Sequence, residues 1–272
     1  MRHPSYRPAD EELDFLEQDN ARGVRLMLDY LKPETLLDKQ GIRHTIVVFG
    51  GTRICEPAVA RSRVEEAARL CSLAPDDDAL QRKLRIAQRV LENSRYYEMA
   101  RAFGRIVGAQ EGPHGRRLVI VTGGGPGIME AANRGAFDAG ARTVGLNITL
   151  PHEQFPNPYV TPGLCSRFRY FGIRKLHFLL RARALVVFPG GYGTLDEFFE
   201  TVTLIQTRKI TPMPVILVGE SYWRRVFDPE FLIDEGVIDP EDRELFWFAE
   251  TAEEIWEDIL RWYQCSGRPL AP

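Results

Sequence analysis

The chain has 272 residues, with 35 basic and 38 acidic side chains and a formal net charge of -3. This length suffices for one large domain with additions or for two small domains, and we predict a single domain over residues 1–272. The slight negative charge provides no overall positive field for a polyanion, so nucleic acid is not expected as a partner.

Cysteine, histidine and targeting patterns indicate the type of protein. The four cysteines form no CxxC pair, which favours neither a zinc site nor a disulfide framework. The five histidines show no metal-ligand spacing, so no metal is expected. No apolar run reaches ~18 residues, and the first residues lack the apolar stretch of a signal peptide. We therefore predict a cytoplasmic protein without membrane contact.

Five short, apolar, β-branched runs predict buried parallel strands. Segments with helical spacing lie between most of them, which is the βαβ alternation of a doubly wound sheet. The predicted fold is therefore α/β and Rossmann-like, a doubly wound parallel sheet with helices on both faces. The five runs are residues 45–49, 118–122, 143–147, 184–188 and 215–218.

Helical additions are predicted around this sheet. Residues 1–44 form an N-terminal helical extension with two helical stretches between about residues 9 and 31. Residues 57–115 form a helical insertion with two patterns, the second from residue 79 to about 107. This insertion fits either an exposed helical hairpin or an oligomer contact, although Tyr96 and Tyr97 favour simple helix packing. A final amphipathic helix is predicted around residues 252–263.

Glycine-rich turns follow three of the predicted strands. Glycine lets backbone N–H groups approach a phosphate, and the helix after the turn directs its positive end at the anion. Ligands of such sheets bind where the strand order reverses, so we expect the turns after the first and fourth predicted strands to face one crevice. One turn alone would equally fit a tight strand-to-helix connection. The predicted phosphate and nucleotide contacts are Gly50, Gly51, Thr52, Gly123, Gly124, Gly125, Gly127, Gly190, Gly191, Tyr192, Gly193 and Thr194.

Motif spacing excludes two common nucleotide sites. A dinucleotide fingerprint needs GxGxxG, but Ile128 or Glu130 stands at the third glycine position. A triphosphate-binding loop needs GxxxxGK[ST], and none of the five lysines has this context. The turns therefore predict a site for a small phosphate.

Charged residues lie close to the third turn. Glu197 is predicted in the first turn of the helix after Gly193, where compensation of the helix dipole alone would explain a carboxylate. Arg174 and Lys175 are predicted at the start of the preceding helix. The dipole disfavours cations at that position, so they need a neighbouring carboxylate or a ligand phosphate.

The residues from Pro189 to Glu197 match PGGxGTxxE, and with this motif the chain resembles the LONELY GUY (LOG) family of cytokinin-activating and related nucleotide phosphoribohydrolases. Residues 123–136 resemble the second glycine-rich element of the family, and Arg174 and Lys175 resemble its RK pair, so the resemblance covers about residues 42–220. Residues 147–159 are similar to the longer bacterial members, whereas short plant-type members lack the insertion.

Members of this family were often labelled lysine decarboxylases. A pyridoxal phosphate enzyme needs a lysine that forms a Schiff base, and no lysine here has a recognisable context for it. No cofactor is therefore expected.

The resemblance implies hydrolysis of the N-glycosidic bond of a nucleoside 5′-monophosphate, either AMP-like or a cytokinin riboside monophosphate, to free base and ribose 5-phosphate. It assigns catalytic roles to Glu197, which would stabilise charge at C1′ and orient water, and to Arg174, which would position Glu197 or the phosphate. Lys175 would contact the nucleotide.

The resemblance further implies that Met129, Glu130 and Asn147 are candidate substrate contacts. It implies a homodimer or higher homo-oligomer. The alternative is a non-hydrolytic nucleotide-binding protein, such as the molybdenum-cofactor carriers that resemble this family.

Overall fold

Seven parallel strands form one sheet in the computed structural model, which describes residues 3–110, 118–150 and 155–271. The strands are β1 (Thr45–Phe49), β2 (Val119–Thr122), β3 (Thr143–Ile148), β4 (Cys165–Phe168), β5 (Ala182–Val187), β6 (Val215–Val218) and β7 (Trp247–Ala249). Their spatial order is β4-β3-β2-β1-β5-β6-β7, so the order reverses between β1 and β5. The predicted doubly wound α/β fold is confirmed, as is the expectation that the first and fourth predicted strands are neighbours.

Two strands, β4 and β7, are additional to the five that the sequence predicts. β4 lies at one edge of the sheet, where Cys165 to Arg167 are partly or fully exposed and provide no apolar run. β7 lies at the opposite edge and has only three residues. Edge strands are not enclosed like central parallel strands, so hydrophobic patterning misses them.

Eleven α-helices lie within the described residues. Those before β2 are α1 (Leu13–Leu16), α2 (Arg22–Lys39), α3 (Pro57–Leu73), α4 (Asp78–Asn93) and α5 (Arg95–Ala109). The others are α6 (Ile128–Asp138), α7 (Phe171–Leu180), α8 (Tyr192–Gln206), α9 (Glu220–Val226), α10 (Pro229–Asp234) and α11 (Ala252–Ser266). None of these helices is long and apolar enough to cross a membrane.

Both faces of the sheet are covered by helices. Successive strand side chains point to opposite faces, so Ile46 joins one buried cluster and Val47 the other. The first cluster includes Phe103 of α5 and residues of α6 and α11. The second includes Phe178 of α7 and Trp223 of α9, together with residues of α2 and α8. The predicted helices on both faces are confirmed.

The N-terminal extension and the insertion differ in detail from the prediction. α2 continues to Lys39, beyond the predicted limit of residue 31, with the buried Pro33 inside it. The second helical pattern of the insertion is split at Ser94, whose hydroxyl donates to the Leu91 carbonyl (2.6 Å). Such bonds back to the preceding turn bend helices. Residues 111–115 of the insertion lie outside the described residues.

The insertion has an exposed part and a buried part. α3 and α4 pack on each other, and α4 has no buried residue, so these two helices form the exposed hairpin. α5 instead packs on α6 and α11, with Tyr96 and Tyr97 in the core. The prediction of an exposed helical hairpin is therefore correct for α3 and α4 and wrong for α5. The prediction that Tyr96 and Tyr97 serve helix packing is confirmed.

Glycines bring α5 and α6 close together. A Cβ atom on Gly104 would clash with the carbonyl oxygen of Ala132, and one on Gly135 would clash with that of Arg101. This packing holds α6, which begins directly after the second glycine-rich turn.

Replacing Gly135 by alanine should destabilise the protein. Alanine gains about 1 kcal/mol in helix propensity, but its Cβ would push α5 and α6 apart. We expect a net loss of about 1–3 kcal/mol in the free energy of unfolding, measured by urea denaturation. The matched control is Gly23→Ala in α2, where nothing lies within 4 Å of the added Cβ, and it should be neutral or stabilising. Equal effects of the two substitutions would contradict the close helix contact.

Candidate functional site

The backbone of Gly51 joins the three glycine-rich turns. Its N–H donates to the carbonyl of Pro189 (2.8 Å), in the turn after β5, and its carbonyl accepts from the N–H of Ile128 (3.3 Å), the first residue of α6. The turns after β1, β2 and β5 therefore meet at the carboxyl edge of the sheet, as predicted for the first and third of them.

Close backbone approach explains why glycines occupy these turns. A Cβ on Gly50 would lie 2.7 Å from side-chain carbons of Ile128. Gly127 has φ +75°, and a Cβ there would clash with the carbonyl oxygen of Gly51. A Cβ on Gly190 would clash with the Thr194 hydroxyl. Side chains at Gly50 and Gly127 would separate the first two turns, and one at Gly190 would distort the third.

A cleft of about 300 Å³ opens where the turns meet. Its lining contains many of the predicted site residues together with apolar side chains that the sequence did not single out. The predicted residues in the lining are Gly50, Gly51, Thr52, Gly123, Gly125, Met129, Asn147, Arg174, Gly191, Gly193 and Thr194, and the additional ones are Phe49, Ile148, Leu150 and Phe171.

One end of the cleft is suited to an anion. Gly191, Gly193 and Thr194 line it at the start of α8, a helix of 15 residues. The first N–H groups of a helix have no acceptor within the helix, and the helix dipole favours negative charge there. This end can therefore bind a phosphate through backbone N–H groups.

Arg174 and Glu197 form a buried pair beside this end. The Arg174 Nη2 atom lies 3.5 Å from Oε1 of Glu197. Arg174 lines the cleft, whereas the Glu197 side chain is only 6% exposed and is not part of the lining. The guanidinium also lies 5.3 Å from the ring centres of Phe171 and Phe178. Arg174 therefore links the buried carboxyl group to the lining of the cleft.

The positions of this pair within their helices differ from the prediction. α8 begins at Tyr192, inside the glycine-rich motif, so Glu197 is its sixth residue and lies in the second turn. α7 begins at Phe171, so Arg174 is its fourth residue. The helix dipole acts mainly within the first turn. Dipole compensation therefore does not explain a carboxylate at Glu197.

Burial changes the ionisation of both partners. Burial raises the pKa of Glu197 from 4.5 to about 7, although the positive charges of Arg174 and Lys175 act in the opposite direction. Burial also lowers the pKa of Arg174. A carboxyl group with a pKa near neutrality can take up or release a proton under ordinary conditions, which is typical of functional sites.

Lys175 and Glu130 have partners within the protein. The Lys175 Nζ atom lies 2.8 Å from Oδ1 of Asp196 and 3.0 Å from Oε2 of Glu200, which joins α7 to α8. Glu130 accepts a hydrogen bond from the Tyr97 hydroxyl (3.0 Å). Both residues lie outside the cleft lining, and their ligand contacts stay predictions. The other predicted contacts outside the lining are Gly124, Gly127, Gly190 and Tyr192.

A buried polar network behind the second turn was not predicted. The Thr122 hydroxyl donates to Oδ1 of Asn133 (2.7 Å) and accepts from the N–H of Gly124 (2.9 Å). The Asn157 amide donates to Asn133 and to the carbonyl of Gly125, both at 3.0 Å. The asparagines in these segments could have indicated the network from the sequence, since buried amides need hydrogen-bond partners.

Asn147 is placed to contact a ligand in the cleft. Its Oδ1 atom accepts the N–H of Ile148 (2.7 Å), which fixes the orientation of the side chain. Within the described residues, no group of three or more histidine, cysteine or acidic side chains could hold a metal ion.

Comparisons with known proteins agree with the motif. The family described as possible lysine decarboxylase matches residues 129–259. A cytokinin riboside 5′-monophosphate phosphoribohydrolase from Arabidopsis thaliana is 28% identical over 158 residues, which are 56% of this chain and 72% of that protein. A probable enzyme of the same name from Oryza sativa subsp. japonica is 31% identical over 147 residues, 52% of this chain and 61% of that protein. The resemblance to the LONELY GUY family is confirmed.

Two solved structures are similar to this chain at lower sequence identity. A molybdenum cofactor binding protein from Rippkaea orientalis has 18% identity and a TM-score of 0.48, with 80% of this chain and 96% of that chain covered. A molybdenum cofactor carrier protein from Chlamydomonas reinhardtii has 20% identity and a TM-score of 0.44, with 80% and 99% covered. Neither likeness bears on function.

The ionisation of Glu197 predicts a pH dependence of stability. Its pKa is higher in the folded protein, about 7, than the ordinary value of 4.5. The folded state therefore binds this proton more tightly, and the free energy of unfolding should fall as the pH rises between these two values. At about 1.4 kcal/mol per pKa unit, reduced for partial hydration, we expect a fall on the order of 2 kcal/mol.

The measurement is urea denaturation of the wild type and Glu197→Gln across this pH range. The variant lacks the titrating group, so its stability should rise relative to the wild type as the pH increases. A difference between the two proteins that does not change with pH would show that Glu197 has an ordinary pKa.

Proposed function

We propose that the protein hydrolyses the N-glycosidic bond of a nucleoside 5′-monophosphate, AMP-like or a cytokinin riboside monophosphate, to free base and ribose 5-phosphate. One observation carries this proposal: the cleft that contains the α8 N-terminus is also lined by Arg174, which is paired with the buried carboxyl group of Glu197. The names of the relatives, which are phosphoribohydrolases, support the same reaction class.

The two ends of the cleft suit the two ends of such a substrate. The backbone N–H of Gly193 and the hydroxyl of Thr194 would bind the phosphate, since the Thr194 N–H already donates to the Gly191 carbonyl (2.9 Å). Ile148, Leu150 and Phe171 are apolar lining residues that would pack against the base. The ribose would then lie between them, with C1′ near the Arg174 and Glu197 pair.

The chemistry follows from charge development at the ribose. As the bond to the base breaks, positive charge grows at C1′, and a carboxylate at Glu197 would stabilise it. The same group would orient the water that supplies the hydroxyl to C1′, and the remaining proton of that water balances the proton taken up by the base. The contact of 3.5 Å between Arg174 and Glu197 is long for a hydrogen bond, so substrate binding can reorient it.

The alternative is a nucleotide-binding or molybdenum-cofactor carrier protein without turnover. Such a protein needs the glycine-rich turns but has no need for a buried acid beside them. Retention of both Arg174 and Glu197, in contact and with the pKa of Glu197 raised to about 7, favours hydrolysis.

Base release tests the proposal directly. Purified protein incubated with a panel of nucleoside 5′-monophosphates should release free base from at least one of them, followed by chromatography. The matching unphosphorylated nucleoside should be a poor substrate, because the phosphate provides the binding energy that positions C1′. Nucleotide binding without base release from any member of the panel would favour the carrier.

Glu197→Gln is the matched variant for this assay. It should reduce kcat by at least about 100-fold while nucleotide binding persists. The control is Glu200→Gln, one turn further along α8, where the carboxylate pairs with Lys175. Similar losses in the two variants would contradict a specific role for Glu197.

A homodimer and a cytoplasmic location belong to the same proposal, and the location stays a prediction. Support for self-association comes from α2, where Val24, Met27, Leu28 and Leu31 are 46–62% exposed and share one helix face. Exposed apolar patches often mark protein interfaces.

Met27→Glu should therefore shift the protein from dimer to monomer in sedimentation velocity. The added charge would have to be buried in the interface without a partner. Arg22→Glu, at an exposed position on the opposite face of the same helix, is the control and should leave the dimer intact. A wild type that sediments as a monomer would show the proposal to be wrong.

A further inference from the structure

A second groove, of about 770 Å³, lies between α9 and the junction of α4 and α5. It shares no lining residue with the cleft. We call it the arginine groove, and its lining consists of Arg89, Glu92, Asn93, Arg95, Tyr96, Ser221, Tyr222, Arg225 and Val226. The insertion thus provides one wall, and the segment after β6 provides the other.

The arginine groove carries positive charge on a protein whose net charge is -3. It contains three arginines and one glutamate. Arg89 pairs with Glu92 (2.6 Å), and Arg95 donates to the Tyr96 hydroxyl (2.9 Å). Arg225 has no hydrogen bond or ion pair with the described residues. A local excess of positive charge therefore remains available to a ligand.

The chemistry of this lining fits a compound with more than one phosphate. Guanidinium groups donate paired hydrogen bonds that match phosphate oxygens. Arg89 and Arg95 come from the insertion and Arg225 from α9, so they reach the ligand from two walls, with Asn93 and Ser221 as further polar groups. The volume is more than twice the 300 Å³ of the cleft, so a single phosphate would leave most of the groove unfilled.

The arginine groove is attached to the glycine-rich turn of the cleft. The hydroxyl of Tyr222, a lining residue of the groove, donates to the carbonyl of Gly190 (2.5 Å). The next residue, Gly191, lines the cleft. Tyr96 contacts the end of β6, because a Cβ on Gly219 would clash with its hydroxyl. Both tyrosines therefore connect the groove to turns at the carboxyl edge of the sheet.

We propose that the arginine groove binds an anion carrying two or more phosphates, and that Tyr222 transmits its binding to the turn at Gly190 to Gly193. This inference goes beyond the proposed hydrolysis and does not require it. It assigns the insertion a role as one wall of a second ligand site.

Binding is tested by calorimetric titration of the full chain with tripolyphosphate, in the presence of excess ribose 5-phosphate to occupy the cleft. We expect saturable binding that Arg225→Gln weakens about tenfold or more, since one charge-assisted contact is lost. The matched control is the adjacent Arg224→Gln, because Arg224 pairs with Glu220 (2.6 Å) outside the groove. Inorganic phosphate should bind much more weakly. No saturable binding, or equal affinities in the two variants, would overturn the proposal.

Transmission is tested by hydrogen exchange at the amides of residues 190–194. Tripolyphosphate should change their exchange in the wild type and in Arg224→Gln, but not in Arg225→Gln. Tyr222→Phe keeps the ring and loses the bond to Gly190, so it should bind tripolyphosphate without changing exchange in the turn. Unchanged exchange in the wild type, or a change that persists in Tyr222→Phe, would refute the transmission step. Neither readout depends on hydrolysis, so these outcomes are separate from those of the base-release assay.

Discussion

Two backbone hydrogen bonds of Gly51 hold the candidate site together. They connect the turn after β1 to Pro189 on one side and to Ile128 on the other, across the point where the strand order reverses. Each bond contributes only about 1 kcal/mol to stability, but both require a backbone without nearby Cβ atoms. The anion-binding end of the cleft is therefore built by main-chain geometry, and its N–H groups are oriented before any ligand arrives.

The buried carboxyl group of Glu197 is the reactive group of the candidate site. Its pKa of about 7 means that burial outweighs the attraction of Arg174, even though the two groups are in contact. A buried charge with only one long contact reduces stability at higher pH, and natural proteins retain such groups mainly at functional sites. Arg174 contacts this carboxyl group and also lines the cleft, so it connects the two.

Sequence patterns predicted what depends on local apolar runs. The bounds of β1 and β6 agree with the predicted runs, since both strands are buried along their whole length. The polar edge strand β4 lacks that signal. The start of α8 at Tyr192 differs from the prediction because glycines inside the motif favour a turn over a helix. The role of Glu197 came from the family motif, whereas the network of Asn133 and Asn157 depends on contacts between distant segments.

The insertion is more than an addition to the sheet. α5 packs against α6 through glycines. The first residue of α6, Ile128, donates its N–H to the Gly51 carbonyl. The position of α5 therefore affects the turns that line the cleft. Tyr96 of the same helix lies against Gly219, the residue between β6 and α9, and α9 contains Tyr222. A shift of α5 would therefore reach two turns of the carboxyl edge at once. Packed elements of this kind change between discrete arrangements instead of deforming gradually, which makes the insertion a suitable element for regulating the site that it supports.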